Sequence, residues 1–303
     1  MENIILIFVC LLIGLLLQKV KDFPQDSHKA LNQFVIYISL PALALFYIPK
    51  IEISSDLLYP LAVPWIGFAF AFLFFSILGK KLGWSKKLIG CLVLTGGLGN
   101  TAFVGFPVIQ ALYGEEGLKT AIIIDQPGTF VVLATLGVLV ATYYSRGTAT
   151  ASVIIKKILV FPPFIGFAIA AVMNIFQYDF VNELQPVFQN LGSTVTPIAL
   201  IAVGLQLSFE RKSKHWKFLT LGLAFKLLIT PAFFCIFYIF ILGKSGEIFD
   251  ISIMESAMAP MITASILAST HGLKPKLSSM MIGFGIPLSF VTLAFWFWIL
   301  QIF

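Results

Sequence analysis

The chain has 303 residues, of which 59% are hydrophobic and only 11% are charged. Soluble domains average about 25% charged residues, so this composition excludes an ordinary soluble globular protein. The formal net charge of +6 does not indicate a nucleic-acid-binding protein, because almost all of the basic residues lie in short segments between long apolar runs.

Ten apolar runs follow one another along the chain, and a membrane-spanning helix needs about 20 such residues. Seven runs contain no Asp, Glu, Lys or Arg, and three contain one each. No gap between them is long enough for a soluble domain. The predicted helices 1 to 10 occupy, in order, Asn3–Gln18, Ala30–Pro49, Leu57–Gly79, Leu88–Gly114, Thr120–Ser145, Ile158–Tyr178, Leu184–Phe209, Phe218–Gly243, Ile251–Leu273 and Leu277–Phe303.

The first run is predicted to be a spanning helix and not a cleavable signal, because Glu2 stands where a basic region is expected and no small-x-small site follows Leu17. The segments after helices 1, 3, 5, 7 and 9 hold most of the 20 Lys and Arg residues. Basic segments stay on the cytoplasmic side. Both termini are therefore predicted on the non-cytoplasmic side.

The two halves of the chain, residues 1–145 and 146–303, show an internal repeat. Similar segments occur in the same order at 39–45 and 195–201, at 117–119 and 272–274, and at 124–131 and 285–291. Because each half has five helices, an odd number, the second half starts from the opposite side of the membrane. The predicted fold is an all-α membrane protein of ten transmembrane helices in two inverted five-helix repeats, a plan that suits alternating access.

Helices 4 and 9 are both interrupted near the middle. Three glycines precede Asn100 in helix 4, Gly105 and Pro107 follow it, and Pro260 interrupts helix 9. Such residues weaken or break a helix, and paired broken helices in two halves point to a transporter's binding site. We expect the two helices to cross at the midplane. The alternative is that these residues only kink the helices for packing.

At such a crossing, the second half-helices, which start near Gly105–Pro107 and Pro260, present N–H groups with partial positive charge, which favours a carboxylate. The first half-helices end there with free carbonyls, which favour a cation. The predicted substrate-binding residues at the two breaks are Asn100, Thr101, Gly105, Pro107, Ser256, Ala259, Pro260 and Thr263.

Three ionisable residues lie inside predicted spanning helices, where a charge costs at least ~2.5–3.5 kcal/mol and is functional by default. Glu255 and Asp125 are predicted to bind Na⁺ or carry a proton, and Lys226 is predicted to pair with an acid or attract an anionic substrate. The alternatives are an interfacial Glu255, an Asp125 that caps a kinked helix 5, and a Lys226 that snorkels to the headgroups.

No metal centre or cofactor is predicted, apart from Na⁺ or H⁺ as a coupling ion. The three cysteines lie in apolar runs without metal-ligand spacing, and the three histidines lie in or beside predicted loops. Gly14 and Gly204 are predicted points of close helix packing. The aromatic end of helix 10, residues 295–298, is predicted to face lipid or the membrane interface.

The chain resembles the auxin efflux carrier family. The likeness is carried by Leu40-Pro41-Ala42-Leu43, by the segment from Gly99-Asn100-Thr101 to Gly105-Phe106-Pro107, and by Glu255-Ser256-Ala257-Met258-Ala259-Pro260. It covers essentially all ten helices in order. Because no long hydrophilic loop separates the halves, the chain looks like a compact bacterial member, and the plasma membrane is its expected location.

The resemblance implies a fold shared with bile acid–sodium symporters and sodium–proton antiporters. It implies a scaffold of helices 1, 2, 6 and 7, a moving core of helices 3–5 and 8–10, and a homodimer joined through the scaffold. Family substrates are organic anions, namely auxin in plants and proposed dicarboxylates such as malate and malonate in bacteria. Some members place an asparagine at the second crossover, where this chain has Ala257-Met258-Ala259.

The predicted function is secondary active transport of a small organic carboxylate, coupled to H⁺ or Na⁺. Two alternatives are a cation–proton antiporter without an organic substrate and an uncoupled facilitator or sensor. A membrane-embedded enzyme is a rival from another class. We do not expect an enzyme, because the embedded acids are isolated and no histidine lies in a helix interior.

Overall fold

The computed structural model describes residues 2–24, 26–52, 54–145, 159–180, 184–207 and 214–302. Over these residues the fold is all-helical, as predicted, and Gly99 and Pro260 form an isolated antiparallel bridge. The helices are α1 (Glu2–Leu17), α2 (Ser27–Lys50), α3 (Ser55–Lys81), α4 (Lys86–Gly97), α5 (101–113), α6 (115–145), α7 (Pro162–Ile175), α8 (Gln185–Gln206), α9 (Trp216–Ile241), α10 (Glu247–Ser256), α11 (Ile262–Thr270) and α12 (Pro275–Leu300).

Helices α5 and α6 share one run, Thr101–Ser145, which Gly114 interrupts with φ 70° and ψ −160°. That φ lies in the left-handed region that glycine adopts without a steric penalty. Among the described residues, six runs are long and apolar enough to cross a membrane: Ser27–Lys50, Ser55–Lys81, Thr101–Ser145, Gln185–Gln206, Trp216–Ile241 and Pro275–Leu300. Ile4–Leu17 and Pro162–Ile175 are shorter apolar helices. The count of ten spanning helices and the inverted repeat stay predictions.

The chain forms two compact units, taken over the described residues. The first unit draws on Met1–Ser55, Ala102–Ile122 and Lys156–Leu207, and the second on Asp56–Thr101, Ile123–Ile155 and Ser208–Phe303. Both units therefore contain segments from the two halves of the sequence. The assignment of a scaffold and a moving core stays a prediction.

In the first unit, α1 and α8 pack backbone against backbone. A Cβ added to Gly14 would lie 2.3 Å from the carbonyl oxygen of Ile201, and one added to Gly204 would lie 2.5 Å from that of Leu11. The prediction that Gly14 and Gly204 are close-packing points is confirmed. The side-chain amide of Gln18 fastens the same contact, because it donates to the carbonyl of Gly204 at 2.7 Å.

The Leu40–Leu43 segment of α2 also serves close packing. An added Cβ at Gly166 of α7 would lie 2.8 Å from the Cα of Pro41, and one at Gly192 of α8 would lie 3.0 Å from the Cα of Leu43. Two further helices thus approach the α2 backbone closely at positions occupied by glycine. This segment, which carries part of the family likeness, builds the first unit.

In the second unit, phenylalanines pack around Phe225 of α9. Its ring lies 5.1 Å from that of Phe70, 4.7 Å from that of Phe74 and 4.8 Å from that of Phe75, centroid to centroid. These α3 side chains fix the rotation of α9 about its axis. The residue after Phe225, Lys226, therefore has a defined direction into the unit.

Trp296 of α12 corrects a prediction from the sequence. The aromatic end of helix 10 was expected to face lipid or the interface, but Trp296 is buried and its indole N–H donates to the carbonyl of Leu227 at 2.9 Å. Trp298 is 62% exposed and fits the expectation. The buried indole supports the segment of α9 that holds Lys226.

Six stretches of these helices are π-helical turns, which are rare and occur frequently at functional sites. Three of them hold Thr101, Asp125 and Lys226, at Thr101–Gly105, Ile124–Phe130 and Phe225–Ile229. One alternative from the sequence was that Asp125 caps a kinked helix 5. The structure instead continues the helix through Pro127, as a π-helical turn.

Candidate functional site

The two helix interruptions meet in the second unit. Between α4 and α5, and between α10 and α11, the chain runs as short extended segments that pair side by side. The backbone N–H of Asn100 donates to the carbonyl of Ala259 at 2.7 Å, and that of Met261 donates to the carbonyl of Leu98 at 3.0 Å. The two breaks are therefore joined through the backbone, independently of side-chain chemistry.

The half-helices start and end at residues that differ slightly from the prediction. After the first break the chain becomes helical again at Thr101, because a π-helical turn precedes Phe106. A start near Gly105–Pro107 was expected, since proline suits the first turn of a helix. After the second break, α11 begins at Ile262, close to the expected start at Pro260.

Asp125 of α6 lies against the start of α5. The hydroxyl of Thr101 donates to Oδ1 of Asp125 at 2.6 Å, and both side chains are buried. The sequence predicted separate roles for these residues, with Thr101 binding the substrate and Asp125 the coupling ion. The structure makes them one hydrogen-bonded pair.

Lys226 of α9 reaches the end of α10. It is 3% exposed, and its Nζ donates to the backbone carbonyl of Ser256 at 2.8 Å. The alternative that Lys226 snorkels toward lipid headgroups does not fit this contact. A buried ammonium instead neutralises the negative end of the α10 dipole.

Glu255 occupies the last turn of α10 and is 1% exposed. Among the described residues, neither oxygen of its carboxyl group has a hydrogen-bond partner. A buried polar group without a partner is costly and calls for an explanation, such as a catalytic role or a bound ion or water. The alternative of an interfacial Glu255 does not fit this burial.

Glu255 and Lys226 line one small cavity of the second unit. Its volume is about 20 Å³, which is room for about one water molecule. The polar side chains around it are those of Thr101, Thr129, Lys226, Thr230, Glu255 and Ser256. The cavity is thus the size of a single ion or water, and it is smaller than an organic acid.

The other predicted residues are placed as follows. Asn100, Ser256, Ala259 and Pro260 are buried at the joined breaks, and the Ser256 hydroxyl donates to the carbonyl of Ile253 at 2.6 Å. Gly105 and Pro107 are buried in α5 and belong to the first unit. Thr263 is exposed on α11 and is not among the residues that line the cavity.

Sequence reasoning missed three contributors to this site. Thr129 and Thr230 line the cavity from α6 and α9, and Gly99 lies against Lys226. Each threonine stands four residues after an embedded charge, which is the same-face spacing of a helix. That spacing is the signal that points to them in the sequence.

Removing the Thr101 hydroxyl should destabilise the second unit. Because Thr101→Val keeps the shape but deprives buried Asp125 of its donor, we expect a loss of about 1–3 kcal/mol, seen as a melting temperature lower by several degrees. Thr101→Ser keeps the hydroxyl and is the matched control. A loss in Thr101→Ser with none in Thr101→Val would show that the methyl group matters and not the hydrogen bond.

A helical chain with long apolar spans, broken helices that meet inside it, and buried charges at the meeting point belongs to the class of polytopic membrane transporters. Comparison with known families agrees: residues 1–297 match the model of the membrane transport protein family, and the chain belongs to this family, that of the auxin efflux carriers. Its members are transporters and not enzymes.

Two similar proteins come from methanogens. An uncharacterized transporter of Methanocaldococcus jannaschii is 28% identical over 99% of this chain and 98% of its own length. An uncharacterized transporter of Methanothermobacter thermautotrophicus is 25% identical over 97% of this chain and 96% of its own length. The likeness therefore covers the whole chain, both breaks included.

Proposed function

We propose that this transporter moves a small organic carboxylate by alternating access, coupled to H⁺ or Na⁺. The observation that carries the proposal is the meeting of two broken helices beside buried Glu255 and Lys226. A bilayer-spanning helix that only anchors a protein needs neither feature. The site is suited to a ligand that exchanges between the two sides.

The carboxylate would bind at the helix starts after the two breaks. The first N–H groups of a helix lack partners within it and carry partial positive charge, so the starts of α5 and α11 favour an anion. Asn100 and Thr101 would donate hydrogen bonds, and the Thr101 hydroxyl would have to leave Asp125 to do so. Because the cavity of about 20 Å³ is too small for an acid, binding requires the site to open, and alternating access provides that step.

Coupling would reside in the acids, with Glu255 as the main carrier and Asp125 as its helper. The family likeness adds a moving core, a scaffold and a homodimer to the proposal. A cation–proton antiporter without an organic substrate is the alternative that the buried acids favour. It needs no carboxylate-binding helix starts, so the response to organic acids separates the two.

The test is the thermal stability of the detergent-purified protein with malonate, malate and an auxin-like aromatic acid. Binding to the folded state raises the melting temperature by linkage. We expect one acid class to raise it, and Asn100→Ala to abolish the rise without unfolding the protein. Asn190→Ala, at an exposed position of α8, is the matched control. Unchanged affinity in Asn100→Ala would remove Asn100 from the site.

Shifts with Na⁺ or pH alone, and with no acid, would favour the cation antiporter. No shift with any acid would contradict a carboxylate substrate. Uptake of the stabilising acid into proteoliposomes that runs only down its own gradient would point to an uncoupled facilitator.

A further inference from the structure

Each of the last four carbonyl groups of α10 accepts a hydrogen bond. Those of Ile253, Met254 and Glu255 accept hydrogen bonds from backbone N–H groups that follow them in the chain. The carbonyl of Ser256 instead accepts from Nζ of Lys226 at 2.8 Å. At the last carbonyl of the helix, the Lys226 ammonium is thus the donor in place of a backbone N–H.

This position has the properties of a site for one monovalent cation. A helix carboxyl end carries partial negative charge, and oxygen ligands suit hard cations. The carboxyl group of Glu255 lines the same cavity, is 1% exposed, and has no hydrogen-bond partner among the described residues. A carbonyl oxygen and a carboxylate are therefore available together, and the ammonium of Lys226 already binds the first.

The segment between α4 and α5 passes close to that ammonium. A Cβ added to Gly99 would lie 3.1 Å from Nζ of Lys226 and 3.4 Å from the carbonyl oxygen of Glu255. The first distance is tighter than ordinary contacts, so a larger residue at position 99 would press on the charge. The cavity beside it, about 20 Å³, leaves room for about one water and none for a second, hydrated cation.

We propose that the Lys226 ammonium is a built-in substitute for a coupling metal cation, so that the protein binds its substrate without Na⁺. The proposal deepens the proposed transport function, on which its statement about coupling rests, and makes H⁺ the expected coupling ion. The cation position itself is defined by Lys226, Ser256 and Glu255, and it does not depend on the identity of the substrate. Replacing Lys226 with a neutral residue should open a Na⁺ site there.

The test compares the melting temperatures of full-length protein in NaCl and in choline chloride of equal ionic strength, without an organic acid. Wild type should melt at the same temperature in both. Lys226→Met should be less stable in choline and should gain about 3 °C or more as Na⁺ saturates the new site. Lys217→Met, at an exposed position near the start of the same helix, should behave as wild type.

The double variant Lys226→Met with Glu255→Gln should lose the gain from Na⁺, because the carboxylate ligand is gone. A saturable stabilisation of wild type by Na⁺ over choline would overturn the proposal, and this measurement does not depend on any variant folding. A folded Lys226→Met that shows no gain from Na⁺ would overturn it as well.

Malonate, added in each salt, separates this inference from the proposed function. A malonate shift of wild type that is equal in Na⁺ and choline supports both. A malonate shift that requires Na⁺ contradicts the inference and leaves the carboxylate transporter standing. A Na⁺ response confined to Lys226→Met, with no shift by any acid, supports the cation position and contradicts the carboxylate substrate.

Discussion

Glu255→Gln should abolish uphill transport while leaving downhill exchange in place. The amide keeps the size of the side chain but has neither a negative charge nor a titratable proton. An ion gradient can therefore no longer drive the substrate. In proteoliposomes, wild type under a tenfold gradient of the coupling ion should accumulate the acid about tenfold at one-to-one coupling, since both gradients equal about 1.4 kcal/mol. The variant should reach an accumulation ratio of about one.

Glu247→Gln is the matched control, because it makes the same change in the exposed first turn of the same helix. It should accumulate the acid as wild type does. Counterflow, in which unlabelled acid inside exchanges for labelled acid outside, checks that Glu255→Gln is folded and binds substrate. Retained gradient-driven accumulation in Glu255→Gln would exclude Glu255 from coupling.

Gly204→Ala should be strongly destabilising in the first unit, as should the facing change Gly14→Ala. The new Cβ would lie 2.5 Å from the carbonyl oxygen of Leu11 and 2.9 Å from the Cα of Gly14. Both are backbone atoms, so α1 and α8 have to separate, and the hydrogen bonds of Gln18 to this helix end weaken. We expect a loss of about 3 kcal/mol, at the upper end of overpacking costs.

Gly137→Ala is the control for this change. Its Cβ would lie 3.4 Å from a Leu133 side-chain carbon, an ordinary contact, and alanine favours a helix over glycine by about 1 kcal/mol. Thermal unfolding followed by size-exclusion chromatography should show a drop of several degrees for Gly204→Ala and none for Gly137→Ala. A Gly204→Ala protein as stable as wild type would mean that the two helices have room to move apart.

The helical class, the family and the two interruptions were predictable from sequence because each depends on composition or on local backbone chemistry. Long apolar runs indicate membrane helices, and the glycines and prolines near Asn100 and Pro260 favour interruption. The close packing of Gly14 and Gly204 was predictable for the same reason, since small residues in apolar helices indicate close approach.

The partners of the buried charges were not predictable. The Thr101–Asp125 and Lys226–Ser256 contacts depend on how four helices are rotated about their axes. That rotation follows from π-helical turns and from the packing of Phe225, which leave no clear pattern in the sequence. The burial of Trp296 was not predictable either. An aromatic run near a helix end looks the same in the sequence whether its side chains face lipid or, as with the Trp296 indole, donate to a backbone carbonyl inside the protein.

The bridge between Gly99 and Pro260 has a mechanical consequence. Its two hydrogen bonds use only backbone atoms of Leu98, Asn100, Ala259 and Met261. The two interruptions are therefore expected to move together. Replacing one side chain with another leaves both hydrogen bonds in place, because neither bond uses a side-chain atom. A substitution that removes a backbone N–H, such as Met261→Pro, removes one of the two hydrogen bonds. The side chains of these two segments can therefore vary while the backbone of one interruption stays attached to that of the other.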